Sequence, residues 1–341
     1  MRHLDFSFSN ENIPVFSSLE DLRKKMGIST AFFYKAIFAS DFFYKEILIP
    51  KRKVGKFRTL KVPPVFLKNM QRWILDNILY FISCHRNATG FIPNKSIVDN
   101  ALVHVRKKYI LKMDIEDFFP SINFYLVREV FIKMHYSKVI SNALASLCIC
   151  EGQLPQGAPT SPYIANLVFI DIDIRISQLC LKHNLNYSRY ADDITISGSS
   201  NIFWVRKVVE KILSEKKFKV NKDKTVIIKP GDKKQVTGLI VNDQLSVPKS
   251  TIRELRKNIY YIKEFGIDSH LNKIKYEYAK EKYIDSLYGT ASFIKMISPE
   301  KGINFFNELN SIFRRGNQYN SEQIEPSFID FSETQWTVFE N

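Results

Sequence analysis

Tyr190-Ala191-Asp192-Asp193 is the stretch on which the prediction of the fold rests. Residues 187–190 lead into it, and residues 194–197 lead out of it with alternating apolar and polar side chains. Such alternation is typical of a half-buried strand. The sequence therefore predicts a short β-hairpin with two carboxylates at its apex. An isolated Asp-Asp pair is usually only a turn dipeptide, so its meaning depends on the rest of the chain.

A second acidic segment lies upstream, in residues 109–121. Period-2 alternation along it places Asp114 on the face opposite the apolar side chains, where the strand leaves its buried portion. Pro120 is expected to end the strand, and Ser121 is expected to cap the helix that follows. Asp114 is thus predicted to face a cleft.

Asp114 and Asp192 lie 78 positions apart, so only the tertiary fold can bring them together. Carboxylate oxygens are the ligands that Mg²⁺ prefers, and two-metal sites for phosphoryl transfer hold their ions about 3.5–4 Å apart. Strand-borne aspartates in a basic protein fit such a site. The alternative is that the Asp-Asp pair merely turns the chain.

The composition is that of a globular protein. The 341 residues are 45% hydrophobic and 25% charged, which suits two or three packed subdomains and excludes disorder as a whole. No apolar run approaches the ~18 residues that span a bilayer, and the N-terminus lacks the apolar core of a signal peptide. These features predict a cytoplasmic protein with no membrane partner. The four cysteines lie in apolar helical contexts and are predicted to be free buried thiols rather than disulfides or metal ligands.

The charge distribution favours a polyanionic partner. The net charge is +15, yet residues 316–341 contain five carboxylates and no Lys or Arg, so the rest of the chain carries +20. Together with the 13% of residues that are aromatic, this positive charge indicates that the partner is a nucleic acid. The acidic, aromatic tail is hypothesised to dock an effector protein or to fold on the basic body; the alternative is a disordered tail.

Residues 18–39 are predicted to form a helix, a turn at Gly27 and a second helix, with Ser18 as an N-cap. A DNA-reading helix-turn-helix is one interpretation. We favour a helical lead-in packed on the next domain, because Phe32, Phe33 and Phe38 are too apolar for a face that reads a groove.

Residues 47–63 are predicted to form a hairpin with a basic, glycine-containing turn. Its cationic groups, among them Lys53 and Arg58, could clamp a triphosphate or a nucleic-acid backbone. A solvated hairpin tip is the alternative.

The Leu154–Pro162 stretch is predicted to be a turn with Gln156 at the mouth of the cleft, and Ser161-Pro162 to start a helix that runs toward Leu181. A purely structural loop is the alternative. The remaining predicted elements are helices over 66–82, 97–104, 204–217 and from 248 to 315, a strand over 226–228, and a turn and strand over 233–241.

These segments match, in order, the motif series of reverse transcriptases over about residues 45–245. The matching residues are Arg58, Asp114 with Asp117-Phe118-Phe119, Leu154–Pro162, Tyr190–Asp193 and Lys224. Within that superfamily the chain most resembles bacterial retron reverse transcriptases. Their Asn-Ala-x-x-His element is matched by Asn100, Ala101 and His104, and their Val-Thr-Gly element by Val236, Thr237 and Gly238.

The resemblance implies an α+β fold of the right-hand polymerase type. After an N-terminal lead-in over 1–44, it implies fingers over 45–95, a palm with an antiparallel sheet over 96–247 and a helical thumb over 248–315, followed by the tail over 316–341.

The resemblance also implies a role for each site residue. Asp114 and Asp192 would bind two Mg²⁺ ions with support from Asp193, and Lys224 would protonate the pyrophosphate unless it is simply a solvated lysine. The substrate-contacting residues would be Lys53 and Arg58 on the triphosphate, Phe119 as the steric gate against a 2′-OH, and Gln156 in the nucleotide pocket.

By the same resemblance, the enzyme would be an RNA-directed DNA polymerase that copies a structured noncoding RNA from dNTPs. It would prime from an RNA 2′-OH and leave branched multicopy single-stranded DNA for antiphage defence, with an effector protein and a host RNase H as partners. The alternatives are another bacterial reverse transcriptase, of the group II intron-like or abortive-infection type, and a non-catalytic RNA-binding protein. The sequence shows no RNase H-like or endonuclease segment, which argues against retroviral and full-length intron enzymes.

Overall fold

The computed structural model describes residues 12–50 and 57–313. Two compact units make up this part of the chain. The first contains the described residues up to Ile92 together with Leu111–Ile227, and the second contains Pro93–Ile110 together with the described residues from Ile228 onward.

The strands are short, and most belong to the first unit. In chain order they are β1 (Lys45–Pro50), β2 (Phe57–Val62), β3 (Tyr109–Ile115), β4 (Asn186–Tyr190), β5 (Asp193–Gly198), β6 (Val220–Ile228), β7 (Gln235–Val236) and β8 (Leu239–Ile240). β1 and β2 form an antiparallel hairpin. A four-stranded sheet has the order β4-β5-β3-β6.

The helices account for most of the remaining described residues. They are α1 (Leu19–Met26), α2 (Thr30–Ala39), α3 (Val65–Asn77), α4 (Ile97–Leu102), α5 (Phe124–Lys133), α6 (Lys138–Cys148), α7 (Ser161–Val168), α8 (Ile170–Lys182), α9 (Phe203–Glu215), α10 (Lys249–Phe265), α11 (Ile267–Lys273), α12 (Lys280–Ile297) and α13 (Pro299–Phe313). This mixture of helices with antiparallel strand pairs confirms the predicted α+β class and fits a right-hand polymerase.

The predicted hairpin at the acidic pair is confirmed. β4 and β5 pair antiparallel, with Tyr190 opposite Asp193, so that Ala191 and Asp192 form the turn. The backbone N–H of Ile115 donates to the carbonyl of Asp192 at 3.0 Å. This bond joins the end of β3 to the hairpin, which is why the two acidic segments meet.

The N-terminal helix pair is a lead-in, as we favoured. The Ser18 hydroxyl accepts from the Asp21 N–H at 3.1 Å, and Gly27 ends α1 with φ of 68°. Phe33 is fully buried, and both helices pack on α6. The exposed side of α2 includes Phe32 and Phe38, so it is not the polar face that a groove-reading helix needs.

Two predicted helices are each divided in the structure. The predicted helix over 66–82 is α3 followed by a 3-10 turn over Leu79–Phe81, with a break at Ile78. The predicted helix from Ser161 toward Leu181 is α7 and α8, separated at Phe169. In both places the apolar spacing continues across the break, so periodicity alone does not reveal it.

Two capping predictions are wrong. Asn123, not Ser121, caps α5 by accepting from the Leu126 N–H at 3.1 Å, because the chain makes an extra turn after β3 in which the Ser121 N–H donates to Asp117. Ser161 is the first residue of α7 rather than its cap, and its hydroxyl makes no cap hydrogen bond.

The predicted strand over 226–228 is also too short, since β6 begins at Val220 and includes Lys224.

The second unit has its own core. The β7-β8 hairpin and α4 pack together, and buried side chains of α10, α12 and α13 complete an apolar cluster that includes Leu255, Leu287 and Leu309. Burial of large aliphatic side chains is worth roughly 1.5–3 kcal/mol each, so this cluster is the main stabilising feature of the unit.

The cysteines are free, and Cys148, Cys150 and Cys180 are buried as predicted. The prediction of burial is wrong for Cys84, which is only half-buried. Burial raises the pKa of Cys148 to about 12, which keeps this thiol protonated and unreactive. Among the described residues, no helix is both long enough and apolar enough to cross a membrane.

Candidate active site

The turn of the β4-β5 hairpin is strained. Ala191 has φ of 55°, in the left-handed region that residues with a Cβ avoid. A two-residue hairpin turn with positive φ at its first position usually carries glycine there. The surrounding structure must therefore hold this turn in place, and the side chain of Asp192 is presented from its second position.

Three carboxylates converge at this turn. Asp114, at the end of β3, is only 7% exposed, and the charges of Asp114 and Asp193 both act on Asp192. Burial, the neighbouring Asp193 and then Asp114 raise the pKa of Asp192 to about 6. Burial likewise raises the pKa of Asp193. Carboxylates gathered in this way repel one another unless a cation lies among them.

Lys224 supplies one positive charge. Its Nζ donates to Asp114 Oδ2 at 2.8 Å, although the lysine side chain is 61% exposed. Burial lowers the pKa of Lys224, but the hydrogen bond to Asp114 and the nearby carboxylates raise it by more. The alternative of a lysine that points into solvent without a partner therefore does not hold for Lys224, whereas its role as a proton donor stays a prediction.

The donor chemistry suits a divalent cation. The carboxylate oxygens of Asp114, Asp192 and Asp193 are hard ligands of the kind that such an ion takes. Among the described residues, however, no three acidic, His or Cys side chains are arranged closely enough to form a metal site, and Lys224 binds Asp114 instead. The side chains are of the chemical type that binds a divalent cation. In the described part of the chain, however, they are not arranged as a complete coordination shell.

Aromatic rings extend from the hairpin to Phe119. The ring of Phe91 lies 6.2 Å from that of Tyr190 and 6.4 Å from that of Phe119, and Phe119 also packs edge-on against the buried Phe118. Phe91 has φ of 61°, which is unusual for a bulky residue. The predicted steric gate is therefore half-buried and held by rings on two sides.

The predicted triphosphate and nucleotide residues lie on neighbouring elements. The Gln156 carbonyl accepts from the Lys61 N–H of β2 at 2.8 Å, and a Cβ on Gly157 would lie 2.7 Å from the Lys61 carbonyl. Glycine is therefore required where this loop crosses the hairpin. Arg58 is exposed on the same strand, while Lys53 lies outside the described residues.

A buried ion pair that was not predicted from the sequence lies behind the hairpin. Arg189 and Asp173 are both fully buried and form a two-pronged salt bridge with distances of 2.8 and 2.6 Å. An arginine in the middle of a short buried strand indicates a buried ion pair, because buried charges are almost always paired. Its partner on α8 could not be identified from the sequence.

The two elements singled out as retron-like lie against each other in the second unit. Asn100 Nδ2 donates to Thr237 Oγ1 at 3.4 Å, and the Thr237 hydroxyl donates to the Ile97 carbonyl at 3.1 Å. Asn100, Ala101, His104 and Val236 are fully buried, whereas Thr237 is half-buried and Gly238 exposed. The buried members hold α4 on the β7-β8 turn, and the turn itself is the part open to a partner.

Comparison with known proteins defines the class. Residues 49–276 match the family described as reverse transcriptase (RNA-dependent DNA polymerase). That match covers well over half of the chain, and the chain belongs to the reverse transcriptase family. Its activity is thus RNA-directed DNA polymerisation, on an RNA template and with a divalent metal as the family's cofactor.

Similar proteins indicate which branch of the reverse transcriptase family the chain belongs to. Retron Ec86 reverse transcriptase of Escherichia coli is 34% identical over 261 residues, covering 75% of this chain and 82% of its own length. Retron Mx162 reverse transcriptase of Myxococcus xanthus is 30% identical over 86% of this chain and 67% of its own length, and Retron Ec73 reverse transcriptase of Escherichia coli is 30% identical over 76% and 84%. Within the family, the chain groups with the retron reverse transcriptases.

Solved telomerase structures are more distant. The apo telomerase of Candida tropicalis matches 79% of this chain and 58% of its own chain, at 14% identity and a TM-score of 0.47.

Proposed function

We propose that this protein is the polymerase of a retron. It copies a structured noncoding RNA from dNTPs, starts from a 2′-OH of that RNA and leaves branched multicopy single-stranded DNA. The observation that carries the catalytic part is the convergence of Asp114, Asp192 and Asp193 with Lys224 at one strained turn. The relatives, all named as retron enzymes, support the retron part.

The aspartates and Lys224 have different proposed roles in catalysis. Asp114 and Asp192, supported by Asp193, would hold two Mg²⁺ ions, which would supply Lewis acidity for the nucleotidyl transfer. Lys224 gives a proton to the departing pyrophosphate, since its ammonium already lies at the carboxylates. A donor at this position is expected to contribute about 10²–10⁴-fold to the rate.

The substrate residues orient the incoming nucleotide. Arg58 and Lys53 on the cationic hairpin bind the triphosphate, and Gln156 lines the nucleotide pocket. Phe119 excludes a 2′-OH, because an aromatic ring under the sugar leaves no room for the additional oxygen. The contact of the Gln156 loop with β2 supports a common pocket for Gln156 and Arg58.

The wider setting follows from the retron assignment. The template RNA and its RNA–DNA product are the nucleic-acid partners, a host RNase H trims the template, and the system acts in the cytoplasm in antiphage defence with an effector protein. The right-hand subdomains are fingers over 45–95, palm over 96–247 and thumb over 248–315. The exposed Thr237-Gly238 turn, supported by Asn100, contributes to recognition of the cognate RNA.

Primer extension tests the catalytic part. With an RNA template, an annealed DNA primer, dNTPs and Mg²⁺, the wild-type chain should extend the primer. Asp192→Asn should reduce the rate at least about 100-fold, because several kcal/mol of transition-state stabilisation would be lost. Extension by the variant at the wild-type rate would refute the assignment of the carboxylates.

The product formed in cells tests the retron part. Nucleic acid extracted after expression of the native locus should contain a small RNA–DNA species whose RNA is released by a debranching enzyme. Extension activity in the tube combined with an unbranched product in cells would place the enzyme in another bacterial branch of the family.

A further inference from the structure

Behind the carboxylates, a buried polar network reaches the strained turn. The guanidinium of Arg189 in β4 binds Asp173 of α8 through Nε and Nη2, at 2.8 and 2.6 Å. Its remaining nitrogen, Nη1, donates to the Ala191 carbonyl at 2.9 Å and to Asn166 Oδ1 at 3.0 Å. One side chain thus connects helix α8, helix α7 and the turn residue that precedes Asp192.

The network is closed on its other sides. Tyr187 donates its hydroxyl to Asp173 Oδ1 at 2.5 Å, and Asn166 Nδ2 donates to the Gly90 carbonyl at 2.8 Å. The guanidinium also lies 4.9 Å from the ring centre of Phe169. Burial alone would lower the pKa of Arg189, but Asp173 raises it by more, so the guanidinium stays charged.

A buried ion pair of this kind contributes little to the stability of a fold. The desolvation of a buried ion pair often exceeds its Coulombic gain, and well-packed apolar residues of similar volume are frequently as stable or more so. Its contact with the strained turn suggests another role. The left-handed conformation of Ala191 is unfavourable for a residue with a Cβ, and the hydrogen bond from Arg189 to the Ala191 carbonyl offsets part of that cost.

We propose that Arg189, held by Asp173 and Asn166, is a positioning residue that fixes the backbone of the Ala191-Asp192 turn and thereby aims the Asp192 carboxylate. This rests on the proposed function of Asp192. The requirement is geometric: only a planar group with several fixed donors can bind a carboxylate, an amide oxygen and a backbone carbonyl at once. Lysine keeps the charge but presents a single nitrogen.

Two variants separate positioning from stability. Arg189→Lys retains an ion pair with Asp173 and should fold, but kcat in primer extension should fall by about 10- to 100-fold with little change in KM for the dNTP. The triple variant Arg189→Met, Asp173→Leu and Tyr187→Phe replaces the ion pair and its tyrosine partner by apolar groups. It should regain much of the thermal midpoint lost in Arg189→Met alone, because no buried carboxylate is left unpaired, while kcat stays low because the Ala191 carbonyl and Asn166 still lack their donor.

Arg175→Met is the matched control. Arg175 also lies on α8 and pairs with a carboxylate, Glu215, at 2.8 Å, but both side chains are exposed by more than a third. Because exposed pairs contribute little, this variant should keep the kcat and the thermal midpoint of the wild type.

Amide hydrogen exchange gives a readout that does not depend on activity. Arg189→Lys should accelerate exchange at residues 190–194 while leaving α5 and α6 unchanged. A wild-type kcat in Arg189→Lys, recovery of kcat together with stability in the triple variant, or unchanged exchange at the turn would each overturn the proposal. If even the wild-type chain failed to extend a primer, the exchange experiment would still decide the positioning role, and only the proposed function would fail.

Discussion

At the scale of single residues, Lys224 has the clearest double role. It is bound to Asp114 in this structure and is proposed to protonate pyrophosphate during turnover. Lys224→Met should lower kcat by about 100-fold, because the proton donor is lost. Thermal stability should change little, since the lysine is 61% exposed and such pairs are weak.

Lys222→Met is the control for this substitution, because Lys222 is exposed on the same strand. It should leave kcat unchanged. If Lys224→Met instead kept kcat and only lowered the Mg²⁺ concentration needed for half-maximal extension, Lys224 would be a competing charge rather than an acid.

Phe91 is expected to influence the choice of sugar. Its ring contacts both Tyr190 and the proposed gate Phe119, so a smaller, rounder side chain should let the gate ring move. Phe91→Leu should reduce the preference for dNTPs over rNTPs by about 10-fold, measured as the ratio of kcat/KM values.

Two other phenylalanines make this test specific. Phe119→Ala should reduce the preference more strongly, and Phe42→Leu, at a side chain that is 90% exposed, should not change it. If Phe119→Ala changed nothing, the gate assignment would be wrong; if only Phe91→Leu changed nothing, Phe91 would not support the gate.

At the scale of elements, glycines show where helices approach closely. In the second unit a Cβ on Gly302 of α13 would lie 2.4 Å from the Cα of Lys295 in α12, whereas a Cβ on Gly289 of α12 would have no atom within 4 Å. Gly302→Ala should lower the free energy of unfolding by about 1–3 kcal/mol, because backbone atoms must move apart.

Gly289→Ala, on the neighbouring helix α12, should have the opposite effect on the free energy of unfolding. Alanine is favoured over glycine within a helix by about 0.8–1 kcal/mol, so this variant should be more stable than the wild type. Urea unfolding followed by circular dichroism measures both variants. A Gly302→Ala variant as stable as Gly289→Ala would show that α12 and α13 do not pack as closely as described.

The elements also show where sequence patterns reach their limit. Alternation around Asp192 and Asp193 predicted the hairpin, because side chains two apart share a face whatever the rest of the chain does. The breaks at Ile78 and Phe169 were not predicted, since both fall within continuous apolar spacing and depend on what each helix packs against. The Asn123 cap was missed because the turn after β3 is longer than Pro120 suggested.

At the scale of the whole molecule, stability should depend on pH through His104. This histidine is fully buried, and burial, followed by the charge of Lys107, lowers its pKa to about 3 from an ordinary value of 6.5. The unfolded chain therefore binds a proton more readily than the folded chain. Stability contributed by the neutral imidazole is complete above pH 6.5 and is lost as the pH falls below it.

Between pH 7 and pH 5 this linkage should cost about 2 kcal/mol of unfolding free energy. Urea unfolding of the wild type and of His104→Gln at both pH values measures it. The variant is expected to be less stable at pH 7 but to lose about 2 kcal/mol less on acidification. An identical pH dependence in both proteins would show that His104 does not titrate on unfolding.

The sequence alone determined the family and the acidic hairpin, and it predicted the three carboxylates of the site, because motif residues and period-2 alternation are local properties of the chain. Only the tertiary structure showed that Lys224 binds Asp114, that Asn100 meets Thr237, and that Arg189 ties Asp173 and Asn166 to the Ala191 carbonyl. These partners lie far apart in sequence or on different elements. Their pairing follows from burial: a polar group removed from water must find a partner, and the fold decides which one is within reach.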